Sequence, residues 1–388
     1  MRKKLALAAL LSSLLVPSAY AEEPIKIGFI AELSGPPAAL GTDKYDGFML
    51  AVELNGGKLG GKKVSVIRED SQLRPEVGLQ AARKLVDRDG VQVIAGVTFT
   101  NIMMAIHKYV TDNEVFLIGT NAGPSQIAGE QCSPYQFITS WQNDVQAEVM
   151  GQYATEQGYK KVVAMAPNYQ AGKDYIEGFK RYYQGEVVDE IYTPLNQLDF
   201  SAELTQVASL QPDAVYIFYP GGLGINFVRQ YHQLGLPQSI PLLTTSSVDG
   251  TTLPAMSNAA VGVMSGAYWS PDLDNAANKK FIKAFQDRHG RMPSQYAAQS
   301  YDGALLLASA IEKVGGNLDD KQAFMNALKA ADFESTRGKF RFGNNSFPIQ
   351  DLYALEVVRG DDGQVTLKTV DTPFKDHQDA YHERCPMS

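Results

Sequence analysis

Two stretches carry the residue types from which an anion site can be built. Thr100-Asn101 follows one short β-branched run, and Asn121-Ala122-Gly123 follows the next. In an open parallel sheet the binding crevice lies at the carboxyl ends of the strands. Helices begin there, so unpaired amides and the positive end of the helix dipole face the crevice. A hydroxyl beside such amides is what a carboxylate needs. Thr100 could equally cap its own helix, and a cap residue can do both. Aromatic side chains that could wall such a site are Phe99, Trp141, Tyr169, Tyr219 and Tyr296, although each also suits an ordinary core. Gln142 and Gln170 could read a ring hydroxyl.

Reaction chemistry is much less well provided for. The chain has no Gly-x-Ser-x-Gly, His-Glu-x-x-His or P-loop pattern. Gly221-Gly222-Leu223-Gly224 mimics the start of a dinucleotide loop, but Phe227 occupies the third glycine position and no acidic ribose partner follows. Asp46, Asp70 and Asp302 are explained by turns and helix starts. Two cysteines and five scattered histidines have no zinc-type spacing. The expectation is a binding protein with no metal and no cofactor, rather than an enzyme.

The elements that must position these residues alternate. Ile25–Ala31 reads as a strand, and Tyr45, Phe48, Met49 and Val52 mark one face of the helix after it. Lys63–Glu69, Val91–Val97 and Val115–Thr120 continue the strands, with a helix opened by Pro75 and another over Ile102–Asn113. The rhythm restarts with strands Lys161–Ala166, Glu186–Tyr192, Asp213–Tyr219 and Pro241–Thr245. Helices separate them at about 144–157, 172–184, 201–210 and 224–234. Strands apolar throughout and separated by helices indicate parallel sheets covered on both faces. The expected fold is therefore α/β, with two doubly wound lobes. A helical block after Ser270 returns to the first lobe, and the strand-like runs Leu352–Arg359 and Val365–Thr369 go to the second. The lobes become 22–141 with 270–351 and 142–269 with 352–372, followed by a tail at 373–388.

Composition sets the compartment. Arg2, Lys3 and Lys4 precede an apolar run from Leu5 to Val16, and Ala19-Tyr20-Ala21 supplies a small-x-small cleavage site. That run is shorter than the ~20 residues a spanning helix needs, so residues 1–21 read as a signal peptide cut after Ala21. Losing its three basic residues takes the net charge from −8 to −11. So acidic a surface argues against nucleic acid and against anionic membranes. In an oxidising compartment Cys132 and Cys385 would pair; two free buried thiols are the alternative.

The stretches Ile25-Lys26-Ile27-Gly28, Leu33-Ser34-Gly35-Pro36, Asp46-Gly47 and Gly56-Gly57-Lys58-Leu59-Gly60-Gly61 now become informative together. Glu69-Asp70-Ser71-Gln72, Asn121-Ala122-Gly123-Pro124 and Tyr296 to Asp302 extend the series. In order and spacing the chain resembles periplasmic solute-binding proteins of the branched-chain amino acid type, which serve ABC importers. The resemblance covers essentially all of the mature sequence. It implies two lobes joined by a three-crossover hinge (the type I periplasmic binding protein fold), with crossings near Trp141, Trp269 and Asp351. It also implies a periplasmic monomer that closes on a small carboxylate or amino acid and meets a membrane-embedded permease.

Family members fix the ligand carboxylate at the positions of Thr100 and Asn121–Gly123, and Tyr169 and Tyr296 fall in ligand-contact segments. Cys132 to Tyr135 and Ser140 to Asp144 look like the subgroup that takes aromatic or other carboxylic acids. Amino acid binders of the family hold the ligand ammonium with an acid where this chain has Ser246. A buried ammonium without a counter-charge costs several kcal/mol. The expected ligand is thus a carboxylate without an α-ammonium, an aromatic acid. Asp249, three residues on, could restore an amino acid site if the loop bends differently. Branched-chain or other amino acid binding and ligand sensing for a signalling partner are the other readings.

Overall fold

Buried apolar runs fix the strands at the centre of each sheet. In the computed structural model, which describes residues 23–360 and 363–387, strands β4 (Val93–Gly96) and β5 (Phe116–Gly119) are buried along their whole length. The expected leader lies outside the described residues. The first sheet also contains β1 (Ile25–Ala31), β2 (Lys58–Leu59), β3 (Lys62–Asp70) and β6 (Gln136–Ile138), in the order β2-β3-β1-β4-β5-β6. All its pairings are parallel except β2–β3. That hairpin turns at Gly60-Gly61, with φ of 55° and 77°, the conformation glycine adopts without steric cost.

The second sheet runs β12-β13-β11-β10-β9-β7-β8, with β14 on β13. Its parallel part is β7 (Lys161–Pro167), β8 (Glu186–Thr193), β9 (Ala214–Phe218), β10 (Leu242–Thr245) and β11 (Met264–Ala267). Strands β12 (Arg341–Phe342), β13 (Pro348–Arg359) and β14 (Val365–His377) form an antiparallel edge. The sequence reading omits β6 and β11, which are only three and four residues long; the latter reads Met-Ser-Gly-Ala, with little β-propensity. It also stops β14 eight residues short of His377.

Around the sheets lie α1 (Ala38–Leu54), α2 (Pro75–Arg83), α3 (Thr100–Asp112), α4 (Ser125–Ala128), α5 (Asn143–Glu156) and α6 (Gln170–Tyr182). They are followed by α7 (Ser201–Leu210), α8 (Gly222–Gln233), α9 (Leu253–Met256), α10 (Ala276–His289), α11 (Gln295–Lys313) and α12 (Lys321–Ala330). After Ser270, α11 packs on α1, α12 and β2. Gly47 permits that approach, since a Cβ there would stand 2.2 Å from the Ala297 carbonyl oxygen. Among the described residues, no helix is long and apolar enough to cross a membrane.

The chain passes between the sheets at 139–142, at 268–275 and along β13. Arg337 ties the three passages together. Its buried guanidinium donates to the Thr139 carbonyl (2.7 Å), the Ser140 carbonyl (3.2 Å) and Gln350 Oε1 (2.7 Å). It lies 5.2 Å from the Tyr268 ring centre and pairs with buried Asp302 at 3.0 Å. The tail after β14 folds back, and Cys385 is disulfide-bonded to Cys132 across 253 residues.

Candidate functional site

Strand β4 ends in a kink that turns the chain into the cleft. Gly96 has φ 104°, and a Cβ there would meet the Ile30 carbonyl oxygen at 2.3 Å. Val97 follows at φ 64°, an outlier for a β-branched residue, and strain of this kind clusters at ligand sites. The next three residues, Thr98, Phe99 and Thr100, form one wall of a cavity between the lobes. Leu40, Asn121, Ala122 and Tyr296 complete the first lobe's share. The second lobe supplies Tyr169, Ala171, Tyr175, Phe218, Pro220 and Ser246, while Trp141 and Asn143 come from the passage between lobes.

The lobes touch around this space. Ser125 Oγ donates to Asp174 at 2.9 Å, Asn143 Nδ2 donates to Thr100 Oγ1 at 3.1 Å, and the Phe99 and Tyr169 rings are 6.4 Å apart. Trp141 is 2% exposed and Tyr296 1%, so the cleft is closed.

Eight of the residues singled out in the sequence meet at the cavity: Thr100, Asn121, Ala122, Trp141, Tyr169, Tyr296, Phe99 and Ser246. Their roles differ in part from those expected. Thr100 is the first residue of α3 rather than its cap, and its hydroxyl accepts from Asn143. The Asn121 side chain braces the strand ends, donating to the Thr98 carbonyl and accepting from Gln299 Nε2 at 2.7 Å. The Ala122 amide donates to the Val97 carbonyl (3.2 Å) and the Gly123 amide to Asn143 Oδ1 (3.1 Å), so neither is left for a ligand. In α3 the first intrahelical bonds run from the Ile102 and Met103 amides to Phe99; the Thr100 amide has no intrahelical acceptor.

Four expected residues stand elsewhere. Gly123 lies behind Trp141, where a Cβ would meet the Trp141 carbonyl oxygen at 2.0 Å. Gln142 caps α5, its side chain bonded to the Asp144 amide and carboxylate. Tyr219 points to the opposite face of its strand, packed against Phe200 and Phe227 with its hydroxyl 3.1 Å from Thr193 Oγ1. Gln170, too, turns away and donates to Asp174 at 2.7 Å.

Tyr175 and Phe218 were missed. Their rings stack 3.8 Å apart, 7° from parallel, and form the flat aromatic wall. Trp141 Nε1 donates to the Tyr175 hydroxyl at 2.9 Å, which lies 3.4 Å from Ser246 Oγ. Phe218 ends a strand at its carboxyl end, which was the available signal.

Among the described residues, no acidic or basic side chain lines the cavity. Asp249 does not reach it: its carboxylate accepts from the Thr251 amide and hydroxyl at 2.7 and 2.6 Å. Burial holds the hydroxyls of Tyr169, Tyr175 and Tyr296 well above the ordinary phenol range, so all three are neutral donors. Helices α3, α6 and α11 each bring a first-turn residue to the wall, namely Thr100, Ala171 and Tyr296. Three positive helix ends converge on a neutral, aromatic space, which suits a flat anion.

Comparison with known proteins agrees with this geometry. The family model for periplasmic binding proteins matches residues 24–364. Leu/Ile/Val-binding protein homolog 6 of Brucella melitensis biotype 1 is 31% identical over 381 residues, 95% of this chain and 97% of its own length. An ABC transporter solute binding protein from R. palustris, solved in complex with benzoate, superposes with a TM-score of 0.89 at 30% identity, covering 94% of this chain and 100% of its own. Another, from Rhodopseudomonas palustris BisB5 with 3,4-dihydroxy benzoic acid, gives 0.85 at 30% identity, covering 92% and 99%.

Proposed function

Because this chain belongs to the periplasmic binding protein family, we propose that it is the extracytoplasmic receptor of an ABC importer and captures an aromatic carboxylate between its lobes. The observation that carries the ligand class is the wall itself: stacked Tyr175 and Phe218, three helix starts and no carboxylate. An α-amino acid would place its ammonium against Ser246, where nothing balances the charge. The similar R. palustris proteins solved with benzoate and 3,4-dihydroxy benzoic acid support the same class.

In this reading residues 1–21 are removed on export and the mature chain works in the periplasm as a monomer. The lobes 22–141 with 270–351 and 142–269 with 352–372 rotate about the three passages. Ligand touching both lobes selects the closed form, which the permease then reads.

Calorimetry of ligand-stripped protein with benzoate, 4-hydroxybenzoate, leucine and isoleucine tests the proposal. The aromatic acids bind, and Thr100→Ala weakens them about tenfold or more, the ordinary worth of a hydrogen bond to a charged group. Tight isoleucine binding with no response to either aromatic acid would overturn it.

A further inference from the structure

Helix α1 carries Leu40 and Lys44 one turn apart on one face. Leu40 lines the cavity, and Lys44 lies behind it with no exposed surface. The Lys44 ammonium makes a long hydrogen bond, 3.4 Å, to Thr98 Oγ1, and Thr98 lines the cavity. The acid facing it is Glu32 at the end of β1, also wholly buried. Glu32 Oε1 accepts from Ser71 at 2.8 Å, whereas Oε2 has no hydrogen-bond partner among the described residues. The Thr98 hydroxyl is shared by the two charged groups, since it also interacts with Glu32. This cation and its acid are thus imperfectly matched, one side chain away from the ligand space.

Burying an ammonium is costly unless the charge is compensated closely and its donors are satisfied. A simple structural pair would be expected to close up. Here the ammonium instead rests against Thr98, a residue of the cavity wall. Resting on the carboxylate reading above, we propose that Lys44 is the electrostatic anchor of the ligand carboxylate, acting through Thr98, with Glu32 as the counter-ion that the ligand partly displaces. Lys44 is a positioning residue, because Thr98 stands between it and the ligand. It explains how an anion can be favoured in a cavity whose own lining is neutral. The state of the pair agrees: burial lowers Lys44 to about 7 against the pull of Glu32, and a second anion nearby would restore its charge.

The test compares a charged ligand with its neutral isostere. Calorimetry is run with benzoate and benzamide on the mature protein and on Lys44→Met, Glu32→Gln and the double variant. Wild type favours benzoate. Lys44→Met lowers benzoate affinity by about ten- to a hundredfold, the size of a unit-charge attraction over ~6 Å at an effective dielectric constant of ~20, reduced for incomplete ionisation. Benzamide affinity changes less than about threefold on the same scale. Glu32→Gln moves benzoate the other way, to tighter binding.

If Lys44→Met alone does not fold, the double variant is compared with Glu32→Gln instead: the two differ only at Lys44 and neither leaves a buried acid without its cation, so the benzoate loss between them is the readout. Equal loss for both ligands, or no loss for benzoate, overturns the role of Lys44 and leaves the carboxylate reading standing. Wild-type protein that binds neither compound overturns the reading of the cavity, and this role with it.

Discussion

Replacing Arg337 by Met tests whether the passages between the lobes are held by one buried cation. The guanidinium makes five hydrogen bonds: two to Asp302 at 3.2 and 3.0 Å, one each to the Thr139 and Ser140 carbonyls, and one to Gln350. Met fills much of the volume but donates nothing. Asp302 would keep donors from Ser335 Oγ (2.6 Å), the Thr336 amide (2.9 Å) and Thr336 Oγ1 (3.2 Å), yet its charge would be buried without a cation. Breaking a buried pair from one side costs about 3–5 kcal/mol. Because neutral donors remain, the lower half of that range is expected. Arg337→Met/Asp302→Asn should recover at least about 1 kcal/mol of the loss, since the two sites share one network. Urea unfolding followed by tryptophan fluorescence reports Trp141 and Trp269, both beside these passages. A chain of two lobes can unfold in two steps, so each transition is fitted separately. An Arg337→Met loss under 1 kcal/mol, or strict additivity in the double variant, would refute the reasoning.

Two further outcomes are expected. Burial raises the Asp249 carboxyl from 3.8 to about 6, so the folded chain holds a proton that the unfolded chain has released between these values. Stability from this group is full below pH 4 and is lost as pH rises through 6. Asp249→Asn should therefore match wild type at pH 4 and exceed it at pH 8 by up to about 3 kcal/mol, at about 1.4 kcal/mol per pH unit. Identical urea midpoints at pH 8 would contradict this. Replacing Cys132 and Cys385 by Ser should lower stability by about 2–5 kcal/mol and open the tail to carboxypeptidase. An unchanged midpoint together with an uncut tail would count against a structural role for the bridge.

What could be read from the chain beforehand follows the range of the forces involved. Parallel strands such as Val93–Gly96 announce themselves as unbroken apolar runs, and Thr100 is legible because strand ends facing helix starts form crevices, whereas Ser246 comes only from the family resemblance. Tyr219 and Phe218 show where this fails. They are consecutive residues where β9 ends and successive side chains still face opposite ways, so choosing Tyr219 over Phe218 moves a ring from the cavity to the far core. Tyr175 lies five residues inside α6, away from the strand-end loops that mark a crevice in sequence. Arg337 belongs to no periodic pattern, and its partners at 139, 268, 302 and 350 come from four distant segments. Gln142 was misjudged for a local reason, since a side chain amide can cap a helix as readily as it can bind a solute.

The cavity walls belong to both halves, and the residues around it, half-buried Tyr169 apart, are almost shut off from water. A guest held there has no side door, so its escape rate is set by how often the shell gapes, not by how well the guest fits once the shell has gaped. Acids that grip both halves more firmly would hold the shell shut longer and leave more slowly, and anything that prises the halves apart would empty the chamber whatever it contained.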